Sequence, residues 1–270
     1  MRVAAILTAA GSGSRLGASG PKALVALAGV PLVVRAARAL LASGQVEHLV
    51  VTAPADQVAV MEHVLSSATP PVIAEVVAGG ATRQASVAAG IARIVAWADD
   101  ATETDGPGDE TRSVVLVHDA ARPLVPEAVV RRVISAVEAG HDAVIPGLAV
   151  TDTVKQVEQG VARSITGAEA DGRAPLGGPA LVDILRVVAT PDRSTLRAVQ
   201  TPQGFALDLL RRAHEAGASR AADEASAATD DAALVEALGI DVWVVAGHED
   251  ALKVTTPRDL ALAEILLAGS

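Results

Sequence analysis

The chain has 270 residues, half of them apolar and a fifth charged, which gives a globular protein ample material for a core and allows one large domain or two small ones. It has no cysteine, so disulfides, thiolate metal sites and cysteine nucleophiles are excluded. A net charge of -10 argues against nucleic acid as the principal partner, because phosphate backbones demand a basic face.

Val3 to Ala10 is an apolar run that stops at Gly11. It is too short for a membrane span and lacks the ordered regions of a signal peptide. No later stretch reaches a spanning length without Gly, Pro or charge, so a soluble cytoplasmic protein with no membrane partner is expected. After that strand come Ala9-Ala10-Gly11-Ser12-Gly13, then Arg15, then Pro21-Lys22. Small side chains let a backbone approach a ligand, and successive amides can cradle an anion. The glycine spacing does not fit the dinucleotide fingerprint, and Lys22 is not in a Walker A setting. Taken alone, the glycines read equally well as an ordinary tight turn. Charge adds information here. Residues 1–46 hold Arg2, Arg15, Lys22, Arg35 and Arg38 and no acid, so an acidic protein opens on a cationic segment suited to a small anion. Arg35 and Arg38 read as solvent-facing helix residues.

Further along, Leu49–Thr52, Val72–Val77, Val114–Val117, Ala143–Ile145 and Val242–Ala246 read as strands. Pro31–Leu41, Asp56–Leu65, Arg83–Val95, Glu127–Glu138 and Leu207–Ala216 read as helices. That alternation predicts parallel βαβ units in a three-layer α/β sheet, with ligands at the carboxyl ends of the strands. Asp99 to Arg112 is acidic and carries Gly and Pro, which predicts a solvated loop. Residues 151–201 read as an antiparallel arm: TDTVKQV turns at Glu158–Gly160 into VARSIT, and ILRVVAT and LRAVQT follow a Gly/Pro-rich stretch, Gly167–Pro179. Thr256, Pro257 and Asp259 predict a capped start for the last helix, and Gly269 its end. The six histidines show no His-x-x-x-His pairing.

Five segments in order carry a resemblance: the Ala-Ala-Gly-x-Gly-x-Arg and Pro-Lys pattern, GGATRQASVAAGI, VLVHDAARPLV, VTDTVKQV and ALKVTTPRDLALAE. Together they resemble the 2-C-methyl-D-erythritol 4-phosphate cytidylyltransferases over nearly the whole chain. The resemblance implies a Rossmann-like nucleotidyltransferase sheet with an inserted antiparallel β-arm, 1–270 forming one cytidylyltransferase domain and 151–201 its dimerisation arm. It also implies transfer of CMP from CTP to a polyol phosphate, with Mg2+ bound mainly through the CTP phosphates. Arg15, Lys22, Arg193 and Lys253 would be catalytic. Ala9, Ala10, Gly11, Gly80, Arg83, Ser86 and Asp119 would hold the nucleotide. Asp119, Arg122, Thr153, Arg193 and Lys253 would hold the acceptor, with Arg193 placed by Thr190-x-Asp192-Arg193. A homodimer is implied, in which one arm completes the partner's site.

By themselves, Ser86 reads as a helix-start hydroxyl and Asp119 equally as a loop cap. The family pattern is departed from at Ala81, where an acid is usual, and in TPQGF, whose fourth residue is usually aromatic. The alternatives are a ribitol 5-phosphate cytidylyltransferase and a non-catalytic nucleotide-binding protein. Ala121 favours methylerythritol phosphate over ribitol phosphate, and the retained cations disfavour a silent protein.

Overall fold

Strand β1 (Val3–Thr8) is buried on both faces, as continuous apolar runs in parallel sheets are. Side chains alternate across it: Ala5 and Leu7 enter one hydrophobic layer, Ala4 and Ile6 the other. The computed structural model describes residues 1–11, 20–68, 74–105, 113–158, 163–164, 181–182, 185–223 and 227–269. Within them β1 is followed by α1 (Leu32–Leu41), β2 (His48–Ala53), α2 (Val58–Ala68), β3 (Ala74–Ala78), α3 (Arg83–Asp105), β4 (Val114–Asp119), α4 (Glu127–Glu138) and β5 (Ala143–Ala149). The chain later adds β6 (Gln203–Ala206), α5 (Leu207–Ala216), α6 (Asp231–Glu236), β7 (Trp243–Ala246) and α7 (Pro257–Ala268).

The sheet order is β5–β6–β4–β1–β2–β3, with β7 beside β5. β1 pairs in parallel with β2 and β4, and β7 with β5, whereas β6 runs antiparallel to both of its neighbours. Leu40, Met61 and Val133, from α1, α2 and α4, pack on one face. Ile91, Leu210 and Val235, from α3, α5 and α6, pack on the other. This is the three-layer α/β arrangement that the sequence pattern predicts. The chain runs outward from β1 to β3 and then returns to β4 on the far side of β1. The order therefore reverses between β1 and β4, where open α/β sheets bind ligands. Register puts Thr8 opposite Asp119 at the carboxyl ends of these two strands.

Two sequence expectations are corrected. The acidic stretch from Asp99 begins as helix, since α3 continues to Asp105. Its first seven residues contain neither Gly nor Pro, and Ala101 favours helix; the breakers Gly106 and Pro107 come later, and 106–112 lie outside the described residues. Arg35 does not simply face water: its Nε donates to the Leu27 carbonyl at 2.9 Å.

A second compact unit spans Ala149–Ala198. Its strands are antiparallel, but the pairing differs from a local TDTVKQV–VARSIT hairpin. Gln156–Glu158 pairs with Arg186–Ala189, and Arg163–Ser164 pairs with Leu181–Val182, so one pair is nested within the other. Arg186 makes a bidentate pair with Glu158 at 2.6 and 2.7 Å, and Lys155 donates to Thr190 at 2.8 Å, which fixes the outer register. The Gly167–Pro179 stretch lies outside the described residues.

The last helix starts as its sequence predicts. Thr256 accepts from the Asp259 amide at 3.2 Å, and the Asp259 carboxylate accepts from the Thr256 amide at 2.8 Å. Replacing Thr256 with Ala removes one half of this capping box and is expected to lower unfolding stability by about 1 kcal/mol, read as a shift in the urea midpoint at constant slope.

Candidate active site

The loop that leaves β1 is pinned by the Ala9 amide, which donates to the Thr52 carbonyl at 2.8 Å. Lys22 opens a single short turn after Pro21. On the other side of the crevice, Gly79 and Gly80 follow β3 and run close against α3. A Cβ on Gly80 would sit 2.4 Å from that of Ala85, and one on Gly79 would sit 2.8 Å from the Ser86 hydroxyl. Only glycine fits this approach. Thr82 caps α3 by accepting from the Ala85 amide at 3.0 Å. Ser86 lies one turn inside the helix, and its hydroxyl donates to the Thr82 carbonyl at 2.8 Å and to that of Gly80 at 3.3 Å. The helix-start role thus belongs to Thr82, while Ser86 ties the glycine turn to the helix.

Asp119 ends β4 with 7% of its surface exposed. Its Oδ2 lies 2.7 Å from Lys253 Nζ, and its Oδ1 lies 3.3 Å from Arg83 Nε. Burial opposes ionisation of this carboxyl, but Arg83 and Lys253 outweigh it and hold the group well below the usual carboxylate range. Lys253 lies in the coil that leads into α7. Val254 anchors that coil: it is fully buried against Leu27 and Leu32, and its amide donates to the Ala121 carbonyl at 2.8 Å.

Behind Asp119 runs a directed chain of hydrogen bonds. The Asp119 amide donates to the Thr201 hydroxyl (3.1 Å), that hydroxyl faces His118 Nδ1 (2.9 Å), and His118 Nε2 faces the Arg122 carbonyl (3.1 Å). A carbonyl can only accept, so the proton resides on Nε2 and Nδ1 accepts from Thr201.

Lys22, Arg83, Asp119, Lys253, Ser86 and the Ala9–Gly11 backbone line one cavity of about 460 Å³, together with Gly80. That volume suits a small molecule. Ala121 also lines it, leaving space where a bulkier residue would project. Arg15 lies outside the described residues. Arg122 donates to the carbonyls of Ala251 at 2.6 Å and Val199 at 3.2 Å, bracing the Lys253 coil. Thr153 and Arg193 are exposed in the second unit, where Arg193 donates to the Thr151 carbonyl at 2.5 Å.

Among the described residues, Asp119 is the one carboxylate that lines the cavity, and no three His, Asp or Glu residues are arranged so that they could hold a metal ion. A lone carboxylate with spare lone pairs fits a Mg2+ ion held chiefly by substrate phosphates, and does not fit a cage built by the protein. No described helix is long and apolar enough to cross a membrane.

The family model of the 2-C-methyl-D-erythritol 4-phosphate cytidylyltransferases matches residues 3–171 and 181–269. The chain belongs to this family. A 2-C-methyl-D-erythritol 4-phosphate cytidylyltransferase from Saccharopolyspora erythraea is 46% identical over 268 residues, covering 99% of this chain and all of that protein. One from Streptomyces avermitilis is 46% identical over 269 residues, covering 99% of this chain and 92% of that protein. The solved structure of the Thermus thermophilus cytidylyltransferase is 32% identical with a TM-score of 0.63, covering 99% of this chain and all of that one. A 4-diphosphocytidyl-2C-methyl-D-erythritol synthase from Anaerococcus prevotii, 23% identical, shares the fold at a TM-score of 0.72 over 99% of this chain and 96% of that one. Membership makes this chain a nucleotidyltransferase enzyme.

Reading the sequence misses several residues that build this candidate site. Thr8 donates to Asp119 at 3.4 Å, and Thr201 and His118 support the Asp119 backbone. Asp231 faces Arg83 at 2.8 Å. None of these lies within a charge pattern that sets it apart, although Thr8 flanks the first motif, His118 lies inside VLVHDAARPLV and Thr201 opens TPQGF.

His118 provides a test. Burial pushes it down to about 4 from an ordinary 6.5, despite the neighbouring Asp119 charge. A depressed histidine contributes stability that is complete above 6.5 and is lost as pH falls through 4, about 3 kcal/mol in all. Asp119 adds little in that window, because its carboxyl in the unfolded chain takes up protons only around and below its ordinary value near 4. Urea unfolding between pH 7 and pH 4 is therefore expected to fall less steeply in His118→Asn than in the parent; equal slopes overturn the assignment.

Proposed function

We propose that the cavity binds CTP and that an oxygen of the 2-C-methyl-D-erythritol 4-phosphate group attacks the α-phosphorus in line. The new phosphorus–oxygen bond forms as the bond to the α–β bridging oxygen breaks, and pyrophosphate leaves. The products are 4-diphosphocytidyl-2-C-methyl-D-erythritol and pyrophosphate. The observation that carries this reading is the convergence of Lys22 and Lys253, from opposite ends of the chain, on one cavity beside Asp119. Such transfer needs little covalent help, and fixed positive charge around the phosphates with correct positioning supplies most of the catalysis.

Cavity lining supports roles for Ala9–Gly11, Lys22, Gly80, Ser86, Asp119 and Lys253, and the family resemblance supports the rest. The Ala9–Gly11 backbone and Lys22 would hold the triphosphate, joined by Arg15. The glycine turn, with Gly80 and Ser86 behind it, would read the cytosine edge. Lys253 and Asp119 would meet the reacting phosphates, and Arg122, Thr153 and Arg193 would serve the acceptor. Mg2+, carried by the CTP phosphates and met by Asp119, would supply further neutralisation of the triphosphate charge. Charged, water-soluble substrates suit a cytoplasmic enzyme. Measuring pyrophosphate release from CTP with methylerythritol phosphate and with ribitol 5-phosphate tests the reaction. Faster turnover of the first is expected, and faster turnover of ribitol phosphate overturns the choice. Lys22→Ala is expected to lose roughly 10²–10³ in rate; full activity would remove Lys22 from the catalytic set.

A homodimer through the second unit completes the proposal. On that unit Leu185, Val187 and Val188 are exposed in and beside one short antiparallel pair, which supports apolar contact with a second copy. Sedimentation is expected to give twice the chain mass; a fully active monomer would defeat the dimer.

A further inference from the structure

Behind Arg83 the cavity wall continues into buried groups that the transfer reaction does not use. Arg83 Nη1 lies 2.8 Å from Asp231 Oδ2, and Asp231 Oδ1 lies 2.9 Å from His214 Nε2. Both Asp231 and His214 are buried. The backbone that carries Asp231 is equally fixed. Asp230 caps α6 by accepting from the Ala233 amide at 3.0 Å. Gln203 of β6, fully buried, donates to the Asp230 carboxylate at 2.8 Å and accepts from the Ala232 amide at 3.3 Å. Gln203 pairs in register with Val117, two residues before Asp119. The two carboxylates that flank Arg83 are thus referenced to adjacent strands, β4 and β6.

We propose that Asp231, oriented by His214, is a positioning residue for nucleotidyl transfer: it holds the Arg83 guanidinium against the back wall of the cavity so that Asp119 keeps one oxygen for Lys253. This rests on the reading that the cavity takes CTP. A guanidinium is a rigid fork, and two anchors, Nε at Asp119 and Nη1 at Asp231, fix its plane. Arg83 and Lys253 are balanced by Asp119 and Asp231. Burial disfavours the Asp231 charge, but Arg83 and the His214 hydrogen bond outweigh it and keep the carboxyl below its ordinary range. With that charge removed, Arg83 has Asp119 as its one carboxylate partner among the described residues. It then closes on Asp119 with both arms, competes with Lys253, and shifts the wall against which the nucleotide lies.

The experiment is a kinetic cycle on the full chain with CTP and methylerythritol phosphate. Asp231→Asn is expected to lower kcat about 10²-fold, as displacement of a supporting group by an ångström does, while the KM for CTP stays within the same order. In an Arg83→Gln background the same substitution is expected to cost nothing further, because Asp231 acts through Arg83. His214→Gln, which keeps a donor for Asp231, retains most of the turnover, and His214→Ala does not. That second pair decides the matter should Asp231→Asn fail to melt cooperatively. Parent-like kcat in Asp231→Asn, or losses that multiply in the Arg83→Gln background, overturn the positioning role. A parent chain that turns over CTP alongside such multiplying losses overturns this inference alone, whereas a parent chain inert toward CTP overturns the reaction as well.

Discussion

A carboxylate with almost no exposed surface cannot stand alone, because removing it from water costs several kcal/mol that only close opposite charge and hydrogen bonds recover. Asp119 is in that position, and much of the site is arranged around its requirement. Arg83 and Lys253 reach it from either side in the sequence, and the Thr201 hydroxyl takes its amide. Each partner must then be held where the carboxylate needs it. Val254 packs beneath the start of α1 and bonds to Ala121, which fixes Lys253. The Thr82 cap fixes the first turn of α3, and with it Arg83. The demand of one buried charge is thereby passed to three loops that share no sequence neighbourhood.

The parallel sheet makes this economical. Because β1 and β4 are adjacent and in register, Thr8 and Asp119 stand side by side where the strand order reverses. The loops after β1 and β3 can approach one another only because their side chains are small. Ala9, Ala10 and Gly11 line one wall of the cavity; Gly79 and Gly80 leave no room for a Cβ on the other. The same economy appears in the core. With few aromatics, the layers are filled by Val, Leu, Ile and Ala, and helices lie close to strands. Gly204 of β6 is an instance: a Cβ there would fall 2.4 Å from Val133 of α4, so a side chain at this point has no space.

How much of this was legible depends on how local the cause is. The strands were legible because burial on both faces writes itself as an apolar run, and the α7 start because a capping box lies within four residues. Lys22, Asp119 and Lys253 were legible through motifs, each a short stretch whose chemistry is local. Asp231 and His214 were not, since their meaning lies in a contact with Arg83 more than a hundred residues away. The sequence pattern marks no element around Asp231, which the structure puts in the first turn of α6, and reads His214 only as part of the Leu207–Ala216 helix. The arm shows the same limit. Alternation announced antiparallel strands, but the partner of Gln156–Glu158 was decided by Arg186 and Thr190, beyond the reach of a local turn rule.

The two cations at Asp119 are not equivalent, and their difference bears on how an acidic protein holds an anionic ligand. Arg83 is sandwiched between carboxylates, one of them almost wholly buried, where Coulomb attraction is strong and little screened. The Lys253 side chain keeps 44% of its surface exposed, so water and salt weaken its hold on Asp119. Arginine suits the first place because its fork meets two carboxylates at fixed angles; lysine suits the second because its compact charge rides on a flexible stem. As a set, Arg83, Lys253, Asp119 and Asp231 carry no net charge, so they keep a buried wall stable without lending it a strong field. A sequence that is strongly acidic overall nevertheless opens with 46 residues containing no acid, and Lys22 of that segment lines the same cavity as Lys253.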